Sequence, residues 1–267
     1  MYNSFKLKKI VLNNFKIFKE IKKINFVNDN DKKVVLIIGN NDSGKTILFN
    51  VIKAGLSSTN EKESICFLDT NFDKSLITEN NKWMFCLNVE ELECNLYEKH
   101  KEFLTSKVVE KMNEFLLIYY PYKYEFKNFI LGNHNEIHLL NHNDNDCIGT
   151  LDATDKLLVN LWYMLAVKYF LFENSFLVLD FSIEKLSKNK IISIITSIID
   201  NCNQLILLTL PVEIMNCIDD ENQSIEEIIK NKTAYLKFTL TYIPEKDCTE
   251  IKQYDWNNFF HLKDMKI

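Results

Sequence analysis

The chain has 267 residues, with 32 basic against 37 acidic side chains, a formal charge of −5 and a pI near 5.7. That balance excludes a strongly basic nucleic-acid scaffold, and 46% hydrophobic with 26% charged residues excludes disordered, collagenous and coiled-coil classes. All 32 basic residues are lysine, so the chain itself offers no arginine finger and no bidentate guanidinium clamp for phosphate; a partner would have to supply one.

The N-terminus, Met1 to Lys9, lacks the apolar run of about 7–15 residues that a secretory signal needs. The longest apolar stretch, Leu157 to Phe172, is interrupted by Asn160 and Lys168 and is shorter than the roughly 20 residues that span a bilayer. We therefore expect a cytoplasmic protein with no membrane association, and Leu157 to Phe172 as a buried helix. Seven cysteines with no C-x-x-C pair suit a reducing compartment, with free and mostly buried thiols.

In chain order, Phe5 to Phe18, continuing through Ile24-Asn25-Phe26, reads as an N-terminal β-hairpin. Lysines 6, 8, 9, 16, 19, 22 and 23 concentrate positive charge there, which reads as a solvated face, with nucleic-acid contact as the alternative. Val34-Val35-Leu36-Ile37-Ile38 is a continuous apolar run, as expected of a buried parallel strand. Gly39-Asn40-Asn41-Asp42-Ser43-Gly44-Lys45-Thr46 follows at once and has the pattern G-x-x-x-x-G-K-[ST]. Glycines in this order let backbone N–H groups curl around a β-phosphate, while Lys45 reaches the β/γ oxygens and the Thr46 hydroxyl ligates Mg²⁺. Ile47, Leu48, Val51 and Ile52 give the next helix its apolar stripe, with Gly55 as its expected stop.

Glu90 to Asn113 reads as one exposed helix of a small lobe, inserted at about 88–148 into an otherwise single domain spanning 1–267. Within it, Tyr119-Tyr120-Pro121-Tyr122-Lys123-Tyr124-Glu125-Phe126-Lys127 interleaves aromatics with lysines. That pattern suits either a half-exposed strand or a base-stacking surface. His134, His138 and His142, at spacing four beside Asp144, Asp146 and Cys147, make either a metal set on a helix or a solvated loop. Farther on, Phe176-Leu177-Val178-Leu179-Asp180 reads as a buried strand ending in a carboxylate. Ile191, Ile192, Ile194, Ile195, Ile198 and Ile199 mark a helix, and Gln204 to Thr209 another buried strand. Thr233 to Ile243 and Cys248 to Tyr254 read as a terminal β-hairpin. Strands alternating with helices imply an α/β fold, a parallel sheet covered on both faces in three layers.

The hairpin's Asn14-Phe15-Lys16-Ile17-Phe18 ahead of a loop with Asn41, Ser43, Gly44, Lys45 and Thr46 resembles the start of RecF, SMC and OLD-type proteins. These are ABC-like P-loop ATPases of DNA repair and antiphage defence. The resemblance implies ATP and Mg²⁺ as ligands and a three-layer ATPase head. It places the cofactor at Gly39, Asn40, Asn41, Asp42, Ser43, Gly44, Lys45 and Thr46, and the metal at Thr46 and, through water, Asp180. It also implies protein partner subunits or a homo-oligomer, with DNA reached through the complex. Leu151-Asp152-Ala153-Thr154-Asp155-Lys156 looks like the family's signature region.

Four departures stand out. Phe181 follows Asp180 where the family places a catalytic glutamate, and Leu210 takes the place of a switch histidine. Asp152, Ala153 and Thr154 replace the signature serine and glycines, setting a carboxylate where a γ-phosphate should dock. Glutamines occur only at 204, 223 and 253, so the glutamine expected between the loop and the signature is missing. The expectation is an ATP-binding subunit with weak or absent hydrolysis, its catalytic residues unknown. The alternatives are an active ATPase using another acid, such as Glu184 or one from a partner, and a structural subunit that binds no nucleotide.

Overall fold

The computed structural model describes residues 5–27, 33–57, 66–70, 72–120, 125–181, 188–210 and 225–254. Its spine is a six-stranded sheet ordered β11-β10-β3-β9-β8-β5, comprising β3 (Val34–Gly39), β5 (Cys86–Asn88), β8 (Phe176–Asp180), β9 (Gln204–Thr209), β10 (Tyr235–Ile243) and β11 (Cys248–Tyr254). β10, β3, β9, β8 and β5 run parallel, and only β11 returns antiparallel, as the expected terminal hairpin. Every residue of β3 and β9 is buried, which is why these segments read as unbroken Val, Ile and Leu rather than as alternation.

β1 (Leu7–Phe15) and β2 (Phe18–Asn25) form the N-terminal hairpin, extended by β4 (Cys66–Thr70) into an antiparallel sheet ordered β2-β1-β4. Lys8, Lys16, Lys19 and Lys23 of this hairpin are exposed. The Gln204 carboxamide fastens the small sheet to the large one: it accepts from the Leu7 N–H at 2.8 Å and donates to the Leu7 and Phe26 carbonyls at 2.9 and 3.3 Å. α1 (Lys45–Ser57) packs against β3, β8 and β9 and also against β4. It runs through Gly55 instead of stopping there, because a β-carbon at Gly55 would lie only 3.2 Å from Leu68 of β4: that glycine serves close packing, not termination.

The expected single helix over Glu90 to Asn113 is three pieces: α2 (Val89–Glu93), α3 (Leu96–Lys99) and α4 (Ser106–Tyr119). Extended backbone at Cys94 and at Leu104–Thr105 breaks it. Asn88 and Glu91 form a capping box that starts α2, with the Glu91 N–H donating to Asn88 Oδ1 at 2.9 Å and the Asn88 N–H to Glu91 Oε2 at 3.1 Å, and Thr105 Oγ1 accepts from the Val108 N–H to start α4. Tyr119 ends α4 and Tyr120 caps it; the next strand, β6 (Phe126–Leu131), pairs with β7 (Ile137–Asn141). Because Tyr119 belongs to α4, the aromatic and lysine pattern is not one strand from Tyr119 onward; Pro121 to Tyr124 lie outside the described residues.

α5 (Ala153–Leu171) is the buried helix expected from Leu157 to Phe172, and both of its polar interruptions are employed. Asn160, fully buried, accepts from the Leu96 N–H and donates to the Leu92 carbonyl, each at 2.8 Å, tying α5 to α2 and α3. The Lys168 amine, also buried, donates to the Phe176 carbonyl, and burial lowers its pKa. α6 (Lys188–Asn201) packs on α5, β9 and α7 (Ile225–Lys232). No helix among the described residues is long and apolar enough to cross a membrane.

Replacing Asn160 by leucine keeps its bulk but leaves the Leu96 N–H and the Leu92 carbonyl buried and unpaired. Unfolding in denaturant should then show a loss of about 2–4 kcal/mol at unchanged m-value.

Candidate functional site

β3 ends at Gly39, and the chain turns back on itself within five residues to begin α1 at Lys45. Asp42 and Gly44 take positive φ values of 64° and 97°, and the Ser43 N–H closes the turn on the Asn40 carbonyl at 3.2 Å. The two glycines are required by space. A β-carbon on Gly39 would lie 2.1 Å from Ser43 Oγ and 3.0 Å from the Leu240 carbonyl of β10. One on Gly44 would lie 2.7 Å from Ile17 Cδ1 and 2.9 Å from Phe18 Cζ. The Phe18 ring, fully buried, thus gives the Asn14-to-Phe18 pattern a physical reason: it fills the space against Gly44.

Lys45 Nζ donates to the Gly39 carbonyl at 2.5 Å and to the Asn40 carbonyl at 2.8 Å, which places the ammonium over the loop. The Thr46 hydroxyl donates to Asp180 Oδ2 at 3.2 Å, joining residues 134 positions apart in sequence. The hydroxyl and carboxylate suit a hard divalent cation, whose ligands are oxygens. A cavity of about 1050 Å³ opens above the loop, against the roughly 300–1,000 Å³ usual for small-molecule sites. Asn41, Asp42, Gly44, Lys45, Thr46 and Asp180 line it, so the expected loop and the expected acid meet in one space. The closed glycine cradle, the overlying ammonium and the oxygen pair together fit a nucleotide phosphate with its metal.

Phe181 and Leu210 line the same cavity. Phe181 is 1% exposed, and neither side chain carries a group that could accept a proton from water. Glu184 lies outside the described residues. Sequence reasoning missed other lining residues: Asn88 and Glu90 from the β5 edge, Ile17 from the β1–β2 turn, and Tyr242 of β10. Asn88 left a signal as the first residue of an N-x-x-E capping box, and Ile17 lies within the Asn14-to-Phe18 pattern. Asn88 is the register partner of Asp180, so a carboxamide borders the metal side even without a glutamine in this stretch.

Asp152 is not among the residues lining this cavity. Its carboxylate caps α5, accepting from the Asp155 N–H at 2.7 Å, and receives Lys190 Nζ at 3.0 Å; Lys190 also meets Asp155 Oδ1 at 2.8 Å. Burial pushes the Asp152 carboxyl upward, but the Asp155 amide and Lys190 outweigh it and hold the group below the ordinary range. The carboxylate expected where a γ-phosphate should dock is instead tied to the Asp155 N–H and Lys190 of its own chain.

The metal reading of the histidines is overturned. No group of three or more His, Cys, Asp or Glu side chains that could hold a metal occurs among the described residues. The segment is the β6–β7 hairpin and its turns: His134 and His142 lie in turns on either side of β7, and residues four apart along a strand are about 13 Å apart, too far to share a metal. His138 instead pairs with Asp146 at 2.8 Å and approaches Glu136 at 3.6 Å.

A family model described as an AAA domain matches residues 9–255. Among solved structures, an SMC head domain from Thermotoga maritima is 16% identical with a TM-score of 0.59, covering 94% of this chain and 99% of that one. An SMC head bound to the C-terminal winged-helix domain of ScpA is 12% identical with a TM-score of 0.57, covering 96% and 99%. An SMC head with an extended coiled coil, bound to the C-terminal domain of ScpA derived from Pyrococcus furiosus, is 10% identical with a TM-score of 0.60, covering 97% and 99%. Among curated proteins, none matches.

Two outcomes follow from these geometries. Gly44→Ala should cost about 1–3 kcal/mol in chemical denaturation, through its positive φ and the Ile17 and Phe18 contacts, whereas Gly149→Ala, with open space at its β-carbon, should stay within about 0.5 kcal/mol. The Asp146 hydrogen bond raises the His138 pKa, so its stabilising contribution is complete below the unfolded value near 6.5 and is lost as pH rises through the higher folded value. Melting curves from about pH 6 to pH 8 should fall for the wild type and flatten in His138→Gln.

Proposed function

Because the chain belongs to the AAA-domain family, we propose that it binds ATP and Mg²⁺ at Gly39 to Thr46 and Asp180 and hydrolyses ATP weakly or not at all. In this reading it works in the cytoplasm as a structural or switching subunit of a DNA-repair or antiphage-defence complex. The observation that carries the reading is a contrast within one cavity. The loop and the Thr46–Asp180 pair meet in it, while the two positions where the family places a catalytic glutamate and a switch histidine contribute only the hydrocarbon of Phe181 and Leu210.

Loop amides and Lys45 would hold the β- and γ-phosphates, and Thr46 with Asp180 would hold the metal. Bound there, Mg²⁺ would neutralise charge on the phosphate oxygens. Phosphoryl transfer depends on positioning and electrostatic stabilisation of the developing charge. At Phe181 and Leu210 the chain has nothing to orient or deprotonate a water, and with lysine as its sole strong cation it adds no guanidinium. At the start of α5, Asp152 and Lys190 satisfy each other, so that helix terminus is already occupied by an anion of its own chain. Two of the similar SMC heads are bound to domains of ScpA, which supports a subunit role, with protein partners or a second copy, and DNA reached through the assembly. The elements from α2 to β7 form a lobe inserted in a single domain.

One observation favours a second reading. Glu90, at the start of α2, lines the cavity on the Asp180 side, because β5 pairs with β8. There it could act as the acid that polarises water in an active ATPase.

Calorimetry with Mg-ATP on wild type and Lys45→Ala, with phosphate release followed in the same samples, tests both readings. We expect binding that weakens about 10–100-fold in Lys45→Ala, without turnover. Turnover abolished by both Lys45→Ala and Glu90→Gln would replace this reading with the active one; no binding to the wild type would remove ATP from the function.

A further inference from the structure

We infer that the C-terminal hairpin β10–β11 supplies the base-binding wall of the nucleotide cavity, with the Tyr242 ring, beside Ile17, taking a face of the purine. The inference rests on the nucleotide binding proposed above and adds the part of the ligand that the loop does not explain.

Sheet order sets the direction. The phosphate loop leaves β3, at the middle of β11-β10-β3-β9-β8-β5. Thr46 and Asp180 mark the metal end, and Asp180 lies on β8, two strands to one side of β3. A ligand whose triphosphate is fixed over the loop with its metal toward β8 must direct its base away from β8, toward β10. On that side the cavity is lined by Ile17 and Tyr242, an alkyl chain and an aromatic ring. Neighbouring strands lie about 4.8 Å apart, so β10 and β8 are some 14 Å apart, a span that an extended nucleoside triphosphate bridges.

The wall is fixed before any ligand arrives. The Tyr242 hydroxyl donates to Asp247 Oδ1 at 2.8 Å, and Asp247 also faces Lys19 at 3.7 Å. Its partner across the hairpin, Thr249, donates its hydroxyl to the Ser43 carbonyl at 3.0 Å and its N–H to the Ile17 carbonyl at 2.7 Å. Two backbone carbonyls, one in the phosphate loop and one in the β1–β2 turn, are thus held by one residue of the hairpin that presents Tyr242. With its hydroxyl occupied by Asp247, Tyr242 offers the base its ring face, and stacking of that kind is worth about 1–3 kcal/mol per base.

The test compares Mg-ATP with Mg-tripolyphosphate, which has the charge but no base, by calorimetry on wild type, Tyr242→Leu and Tyr242→Phe, with melting curves to establish folding. We expect Tyr242→Leu to weaken ATP about 5–150-fold while leaving tripolyphosphate unchanged, and Tyr242→Phe to recover most of the affinity. If Tyr242→Leu binds ATP as the wild type does, or loses both ligands equally, the base wall is wrong while the phosphate site stands. If wild type binds neither ligand, the nucleotide reading fails, and this inference with it.

Discussion

Two missing β-carbons organise this molecule. The phosphate loop can turn from β3 into α1 only because Gly39 and Gly44 leave room for what surrounds them: Ser43 and the β10 backbone at the first, Ile17 and Phe18 at the second. Chain segments from the N-terminal hairpin, the loop and the C-terminal hairpin converge within a few ångströms. Close-packed interiors do not accommodate even one extra methyl group without displacement, so this convergence fixes the loop's path and that of its neighbours together. The Ser43 Oγ is buried with no protein partner, which marks the loop as the place where packing has been favoured over polar satisfaction.

Within this cavity, binding and chemistry depend on different parts of the chain. A phosphate cradle is made mostly of backbone, so it survives as long as its glycines and its strand do. Turnover needs particular side-chain functional groups at particular distances; Phe181 and Leu210 offer hydrocarbon to this cavity, and Glu90 offers it a carboxylate. Phe181 is held by the core as well: its ring is 1% exposed and its N–H bonds the Leu208 carbonyl at 3.0 Å. Its position thus serves the sheet's packing. The α5 terminus behaves likewise, since Asp152, Asp155 and Lys190 form a satisfied ion cluster there.

Where burial on both faces imposes an unbroken apolar run, the sequence was readable almost to the residue, as in Val34 to Ile38, Phe176 to Asp180 and Gln204 to Thr209. The loop was readable because its chemistry is contiguous. Glu90 to Asn113 misled because periodicity over the whole stretch competed with extended backbone at Cys94 and Leu104 and with the cap at Thr105, and short-range capping bonds decide where a helix begins. Of the two readings open for the histidines, the solvated hairpin is the one found, because residues four apart come within ligand distance on a helix but lie about 13 Å apart along a strand. Asn88 and Ile17 sit in readable local patterns, but nothing in the spacing of Asn88, Glu90, Ile17 or Tyr242 shows that they meet at the cavity: strand order brings them there, and that order is a property of the whole sheet.

Gln204, read from the sequence only as the start of a buried strand, has a second role: it is 1% exposed at the start of β9, bonded to Leu7 and Phe26. A buried carboxamide left unpaired would cost several kcal/mol, so its three bonds specify where β1 and β2 sit against the main sheet. The hairpin is held again at its opposite end, where Ile17 meets Thr249 and packs toward Gly44. Anchored at both ends, the N-terminal hairpin is an integral part of the phosphate loop's support, and the pattern Asn14 to Phe18 is legible in the sequence because the loop's shape depends on it.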